Sequence, residues 1–309
     1  MPPVLEGLIP VFCVIALGWT VRATGHVTAE QWSGFEQVTY YVLIPGLVIT
    51  TLAMADLAKV PIMTVGITLV TPVLIVTVAL FAMRSLFTSR FAIDGPAFTS
   101  VLQGAVRWNS FVAIALAGSL FGKDGVALTA VAFAFLIPLV NVLSAYALVR
   151  HGSDAKPLTV KGLATGLIRN PFIWSTMVGL AISITGLPIP KSIAMFGDIV
   201  GRSALAAGLL LVGAGLDLRN LRQPGAGLWI AVILRLAVMP LLAGSIGQAL
   251  GLSGVNLAVP VICASVPTAA AAYILARQNG GDAPLMASII TAQTLLAAIP
   301  MPIMLLIFR

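Results

Sequence analysis

The chain has 309 residues, of which 59% are hydrophobic and only 9% are charged, and its mean hydropathy is +1.07. This composition excludes a soluble domain, which would need far more charge to cover a surface of this size. The formal net charge of +7 does not indicate nucleic-acid binding, because no basic cluster is interleaved with aromatic residues. The sequence predicts an all-α membrane protein embedded in a lipid bilayer.

Apolar runs of roughly 18 or more residues recur along the chain, and each is long enough to cross ~30 Å of hydrocarbon as a helix. Helices are favoured because every backbone donor and acceptor in lipid needs a partner within its own segment. The first run follows Glu6 without a basic segment and predicts a retained span, not a cleaved signal peptide. The ten predicted transmembrane helices lie at 4–22, 35–54, 61–83, 97–120, 125–149, 171–187, 192–215, 227–250, 256–277 and 284–308.

Basic residues in the loops predict the orientation. One set of loops holds ten of them: Arg22, Arg84, Arg90, Arg150, Lys156, Lys161, Arg169, Arg219, Arg222 and Arg277. The opposite set holds four: Lys59, Lys123, Lys191 and Arg309. By the positive-inside rule, both termini are non-cytoplasmic in a multi-pass protein of the bacterial inner membrane.

The polar stretch 150–170 divides the chain into a first five-helix repeat, 1–149, and a second, 171–309, and we interpret it as a cytoplasmic linker. Because each half holds an odd number of spans, the second half inserts upside down relative to the first. Segment 10–25 can be laid on 171–186 without gaps, at an offset of 161. The sequence therefore predicts two inverted repeats, an arrangement that many secondary transporters share.

In the first repeat, the middle of span four is the least typical of a lipid-spanning helix. Its sequence is QGAVRWNSF. An arginine near mid-bilayer costs at least ~2.5–3.5 kcal/mol unless it faces a cavity or a partner. Arg107, with Trp108, Asn109 and Ser110 beside it, is therefore a candidate for binding a solute. The alternative is a buried arginine tied to carbonyls or to a neighbouring helix.

Spans five and seven add further polar side chains. Asn141 either lines the same cavity or bonds across helices. Asp198 and Arg202 stand at i and i+4, which permits either a structural ion pair or a site of proton coupling. Gly197 and Gly201 form a GxxxG pattern, for which we expect close packing inside the chain, although a homodimer stays open.

Span nine contains CASVPTAAAAY, with Pro267 near its centre. Proline in a helix interior removes one amide donor and costs roughly 3 kcal/mol. Flanking Ser265 and Thr268 indicate a functional break, and a simple packing kink is the alternative. The offset of 161 between the two halves aligns residues 107–109 of span four with residues 268–270 of span nine, so these two spans, if both are broken, would meet at mid-membrane. The amino ends of the broken helices have free N–H groups and a partial positive charge, which would suit a carboxylate.

Five stretches of the sequence resemble one known family, and together they span most of the chain. They are PVFCVIALGW at 10–19, YYVLIPGLVITTLA at 40–53, RNPFIWSTMVGLAI at 169–182, LAAGLLLVGAGLDL at 205–218 and VICASVPTAAAAYILARQNGGD at 261–282. In their order and spacing they are similar to the auxin efflux carrier family, which includes the plant PIN proteins and bacterial malonate and malate permeases.

The resemblance implies two inverted five-helix repeats in which the interrupted fourth and ninth helices cross. It also implies a scaffold domain and a transport domain, each built from both repeats. Family members move organic anions by an elevator-like motion. Their span-four motif is matched by Asn109, Ser110 and Phe111, their span-nine proline by Pro267, and their span-five asparagine by Asn141.

The sequence thus predicts a secondary transporter of a small organic anion, a carboxylate, working by alternating access. An anion channel and a membrane sensor without transport are the alternatives. No enzyme is expected, because the spans hold no aspartate pair, Ser/His pair or zinc ligands. No cofactor and no metal site are expected, and the coupling ion, proton or sodium, stays open.

Overall fold

The computed structural model describes residues 3–55, 60–153, 168–186, 189–216 and 225–308, together with residues 159, 161, 162, 165, 218 and 221. The predicted linker 150–170 lies only partly within these ranges. Of the basic residues used to predict orientation, five lie outside the described residues: Lys59, Lys156, Arg219, Arg222 and Arg309.

Every regular element among the described residues is helical. In chain order the α-helices are α1 (Pro3–Ala23), α2 (Ala29–Val38), α3 (Ile44–Ala53), α4 (Ile62–Ala82), α5 (Arg84–Phe91), α6 (Gly95–Val106), α7 (Ser110–His151), α8 (Pro171–Thr185), α9 (Lys191–Ala214), α10 (Ala226–Ile233), α11 (Met239–Ala249), α12 (Gly254–Ser265), α13 (Ala271–Gln278), α14 (Ala283–Leu296) and α15 (Pro300–Ile307). Two π-helical segments, Thr39–Leu43 and Leu234–Val238, join α2 to α3 and α10 to α11.

Six helices among the described residues are long and apolar enough to cross a membrane, or seven if the pair α14 and α15, bent by 59°, is one span. The six are Glu6–Ala23, Ala29–Ala53, Ile62–Ala82, Gly95–His151, Lys191–Ala214 and Ala226–Ala249. Gly95–His151 contains both predicted spans four and five, which a kink at Gly122 (φ 57°, ψ −138°) separates. The shorter helices α8 and α12 are also apolar.

The second span begins earlier than hydropathy predicts. Its helix starts at Ala29, about two turns before the predicted residue 35, and continues to Ala53. Thr28 and Gln31 form a capping box, in which each side chain accepts a hydrogen bond from the other residue's backbone. These extra turns are polar, and they matter because they line a cavity.

Close helix contacts define a first helix group, α1–α3 with α8 and α9. α1 packs along α9 and α3 packs along α8, so helices from the two halves of the chain interlock. Glycines permit this approach: a Cβ on Gly213 would lie 1.8 Å from the carbonyl oxygen of Ile15. Gly197 and Gly201 pack against Thr50 and Leu47 of α3, within the same chain.

A second helix group comprises α4, α6, α7, α10, α11, α12 and α14. Within it α12 packs on α7 and α11, while α6 packs on α7, α10 and α14. α6 and α12 contain the most completely buried residues, and α7 also contacts α1, α8 and α9 of the first helix group. The interrupted helices therefore lie at the centre of the second helix group, with a boundary to the first on one side.

Candidate functional site

A cavity of about 600 Å³ lies between the two helix groups. α2 lines one side, and the other is lined by the break between α6 and α7, by the middle of α7 and by the start of α13. The first residues of α8 and the last turn of α9 also line it. Cavities that hold drug-sized ligands measure about 300–1,000 Å³, so this volume suits a small organic molecule.

The break between α6 and α7 follows from the backbone of residues 107–109. Arg107 (φ −74°, ψ 153°) and Asn109 (φ −87°, ψ 101°) are extended, so α6 ends at Val106 and α7 begins at Ser110. The side chain of Asn109 accepts hydrogen bonds from the backbone nitrogens of Phe111 and Val112, at 3.1 and 3.3 Å. An asparagine in this position is a strong N-cap, which stabilises the restart of the helix without a proline.

Arg107 places a cationic group at this break. Its side chain is 7% exposed, and Nη1 donates to Asn141 Oδ1 at 3.0 Å and to Ser144 Oγ at 3.3 Å. Its Nε has no hydrogen-bond partner, and no carboxylate among the described residues forms a salt bridge with it. A buried guanidinium held only by neutral oxygens keeps its charge uncompensated, which favours an anionic ligand.

The second break lies between α12 and α13, and it meets the first. Val266 is extended (φ −64°, ψ 149°) and ends α12 at Ser265. Asn109 donates its backbone N–H to the carbonyl oxygen of Pro267 at 2.8 Å, and Thr268 Oγ1 donates to the carbonyl oxygen of Gln103 at 3.3 Å. The two interrupted helices are therefore joined by hydrogen bonds at the point where both lack helical structure.

Two residues that the sequence did not single out as solute-site candidates hold this crossing together. Gln293 of α14 is fully buried; it accepts from Thr268 N at 2.9 Å and donates to the carbonyl oxygens of Gly104 and Ala231 at 2.9 and 3.0 Å. Arg235 is 1% exposed, and it donates to the carbonyl oxygens of Cys263 and Val266 at 2.5 and 2.6 Å. Apart from the carbonyl oxygen of Ala231, which also accepts from the backbone N–H of Leu234, the backbone groups that they bind lie beside the two helix breaks.

The predicted site residues separate into two sets. Those that line the cavity are Arg107, Trp108, Asn109, Ser110 and Asn141. The three predicted from span nine are buried at the crossing and do not line it: Ser265, Pro267 and Thr268. The small side chains of residues 269–271 contribute the lining from that helix instead.

Residues 157–305 match the family described as membrane transport protein. Over these residues the chain is similar to the members of that family. The match confirms the predicted resemblance to the auxin efflux carriers.

Two relatives extend the likeness over almost the whole chain. An uncharacterized transporter of Methanothermobacter thermautotrophicus is 28% identical over 304 residues, which cover 96% of each chain. A putative malonate transporter of Rhizobium meliloti is 27% identical over 288 residues, which cover 89% of this chain and 87% of the relative. The first half of the chain, including Arg107, is thus part of the same relationship.

Asp198 and Arg202 lie elsewhere in the structure. Arg202 Nη2 and Asp198 Oδ2 are 3.0 Å apart, and Lys123 Nζ lies 4.0 Å from Asp198 Oδ1. The three side chains line a separate cavity of about 310 Å³, towards the opposite end of α9 from the larger cavity. The ion pair therefore connects α9 to the turn at Gly122, and it does not contact Arg107.

A further carboxylate that the sequence reasoning missed belongs to the larger cavity. Glu36 of α2 lines it, together with Trp32 and Tyr40. The signal was the spacing of these three residues, which are four apart and so share one helix face. It was missed because hydropathy began the span at residue 35, which placed Trp32 in a loop and Glu36 at the very start of the span.

The described residues contain no group of three or more His, Cys, Asp or Glu side chains that could hold a metal ion. Cys13 and Cys263 are both free, the first exposed and the second buried. The polar side chains that line the larger cavity carry two guanidinium groups, a carboxylate, amides and hydroxyls.

Proposed function

We propose that this membrane protein is a secondary carrier of a small organic anion, which it recognises through a carboxylate at Arg107. It works by alternating access with an elevator-like motion of one helix group against the other, in the plasma membrane of a bacterial cell. The cargo is a small solute, and no catalysis is involved.

The proposal rests on the position of Arg107 and on its uncompensated charge. This residue presents a guanidinium to a ligand-sized cavity, and among the described residues no carboxylate neutralises it. Charge-assisted bonds to a bound carboxylate would satisfy both its charge and its free N–H groups. The printed name of the Rhizobium meliloti relative, putative malonate transporter, describes a carrier of a carboxylate and supports the same class of cargo.

The proposed architecture is ten transmembrane helices in two inverted repeats. Its support is the predicted offset of 161, which carries the break at 107–109 onto residues 268–270, where the other helix is also interrupted. The interlocked pairs α1 with α9 and α3 with α8 are what an inverted duplication would produce. In this proposal both termini are non-cytoplasmic.

Alternating access is supported by the positions of the two cavities. The larger reaches Arg22 at the end of α1 and Asn170 at the start of α8, on the side that loop charges predict to be cytoplasmic. The smaller lies towards the opposite end of α9, beside Met54 and Lys123. Both separate the same two helix groups, so sliding one group would close one cavity and open the other.

Solute counterflow tests this proposal. The purified protein is reconstituted into liposomes preloaded with one carboxylate, and uptake of its radiolabelled form is followed with and without sodium or proton gradients. The panel covers short mono- and dicarboxylates, aromatic acids and amino acids. Arg107→Gln is compared with Arg90→Gln, a control for an exposed arginine on α5.

We expect saturable exchange of at least one carboxylate, reduced about tenfold or more in Arg107→Gln and retained in Arg90→Gln. A lost charge-assisted bond costs about 1.5–3 kcal/mol, which corresponds to that factor. Unitary currents across a planar bilayer would instead identify an anion channel. Carboxylate binding without flux would identify a sensor, and undiminished exchange by Arg107→Gln would remove Arg107 from the site.

A further inference from the structure

The side of the cavity that α2 lines combines a carboxylate with aromatic side chains. Trp32, Glu36 and Tyr40 stand at intervals of four residues, so they form one stripe along the helix, and all three line the cavity. Tyr41 lines it beside them. A carboxylate that lines one cavity together with three aromatic side chains is a combination that suits organic cations, because both the negative charge and the ring faces attract an ammonium group.

The carboxylate of Glu36 is available for a ligand. Among the described residues it forms no salt bridge and accepts no hydrogen bond. Arg22, which also lines the cavity, donates instead to the carbonyl oxygen of Ala214 at 3.3 Å. A carboxylate within a membrane-spanning helix is costly unless it meets a partner or faces a cavity. Glu36 faces the cavity, so its partner can be part of the cargo.

Glu36 and Arg107 give the cavity two charged ends. Arg107 lies at the break of α6 and α7, in the second helix group, and Glu36 lies on α2, in the first. Tyr40 lies within electrostatic range of both groups. The two charges are not paired with each other, which leaves one site for an anionic group and another for a cationic group in a single cavity.

We propose that the cargo is a carboxylate that also bears a cationic amine, such as an amino acid or a betaine, with its carboxylate at Arg107 and its ammonium at Glu36, Trp32 and Tyr40. This inference rests on the proposed function: a carboxylate of the cargo still binds at Arg107, and the added cationic amine makes the cargo a zwitterion without net charge. A simple dicarboxylate would bring a second negative charge towards Glu36, where it would be repelled.

Matched ligand pairs test the inference on the purified full-length protein. Each pair shares a carbon skeleton and differs in the amine: phenylalanine with 3-phenylpropionate, 4-aminobutyrate with butyrate, and 5-aminovalerate with valerate. Dissociation constants are measured for the wild type, for Glu36→Gln and for Arg107→Gln. Glu30→Gln is the matched control, because Glu30 lies on α2 but does not line the cavity.

We expect the wild type and Glu30→Gln to bind the amine-bearing member of at least one pair about tenfold more tightly than its partner. Glu36→Gln should bind both members of that pair equally, and its retained binding of the amine-free acid shows that it is folded. Arg107→Gln should lose the binding of both members. If the wild type prefers the amine-free acids through Arg107, or if Glu36→Gln keeps the preference, this inference fails and the carboxylate site stands. If no carboxylate binds, both proposals fail.

Discussion

Replacing Gln293 by leucine removes one side chain that joins three elements of the crossing. Its amide binds Thr268 N at the break after α12, the carbonyl oxygen of Gly104 in α6 and that of Ala231 in α10. Leucine has a similar volume but no polar atoms. The Gln293→Leu variant would therefore leave the backbone N–H of Thr268 and the carbonyl oxygen of Gly104 buried without partners, while the carbonyl oxygen of Ala231 keeps the backbone N–H of Leu234.

The expected cost follows from these three hydrogen bonds. Hydrogen bonds between helices in membrane proteins average about 0.6 kcal/mol, which sets a lower bound of about 2 kcal/mol for three. An orphaned buried backbone group costs about 1–3 kcal/mol, and groups beside a helix break cannot find another partner within their helix. We expect Gln293→Leu to lower the free energy of unfolding by about 2–6 kcal/mol.

Thermal unfolding of the detergent-solubilised protein measures this loss, with Gln248→Leu as the control. Gln248 is exposed near the end of α11, and no described residue hydrogen-bonds its side chain. At roughly 2 °C per kcal/mol for a chain of this size, Gln293→Leu should lower Tm by about 4–12 °C. A shift no larger than that of Gln248→Leu would refute the assignment of these hydrogen bonds to the crossing.

Three further substitutions test the packing around the site. Gly213→Ala would place a Cβ 1.8 Å from the carbonyl oxygen of Ile15 and so force α1 and α9 apart. We expect the free energy of unfolding to fall by about 1–3 kcal/mol or more, measured by thermal unfolding. An unchanged Tm would mean that the two helices do not touch. Gly122→Ala forces a side chain into a glycine conformation (φ 57°, ψ −138°), at an expected cost of about 1–3 kcal/mol, and a stabilised variant would contradict that backbone. Asp198→Asn should change stability by less than about 1 kcal/mol at low or high salt, because its ion pairs are partly exposed, and a loss above ~2 kcal/mol would contradict this.

Sequence reasoning located the breaks because each is marked by a residue that an ordinary lipid-facing helix excludes. Pro267 lacks an amide donor and predicted either a functional break or a packing kink. Arg107 carries a charge at membrane depth and predicted either a solute site or a buried arginine with a partner. The offset of 161 and the family resemblance then indicated that the two positions meet. The start of α2 was predicted about two turns too late, because hydropathy reports on lipid exposure and these turns face a cavity. The count of ten spans and the inverted repeats stay predictions.

The partners of the polar side chains were beyond sequence reasoning. A glutamine or arginine in an apolar run shows that a hydrogen-bond partner is needed, but not which group it is. Gln293 and Arg235 bond to carbonyl oxygens that are free acceptors only because other helices are interrupted there. Arg235 bonds to two backbone carbonyls at the end of α12 and to no acidic side chain among the described residues.

In the proposed mechanism, a carboxylate of the cargo binds at Arg107, between the two helix groups. An experimentally determined structure with the tightest-binding carboxylate bound will show whether it does. We expect a carboxylate oxygen at about 2.7–3.2 Å from a guanidinium nitrogen of Arg107, within the cavity that α2 and the α6–α7 break enclose. A ligand bound elsewhere, with Arg107 still held only by Asn141 and Ser144, would contradict it.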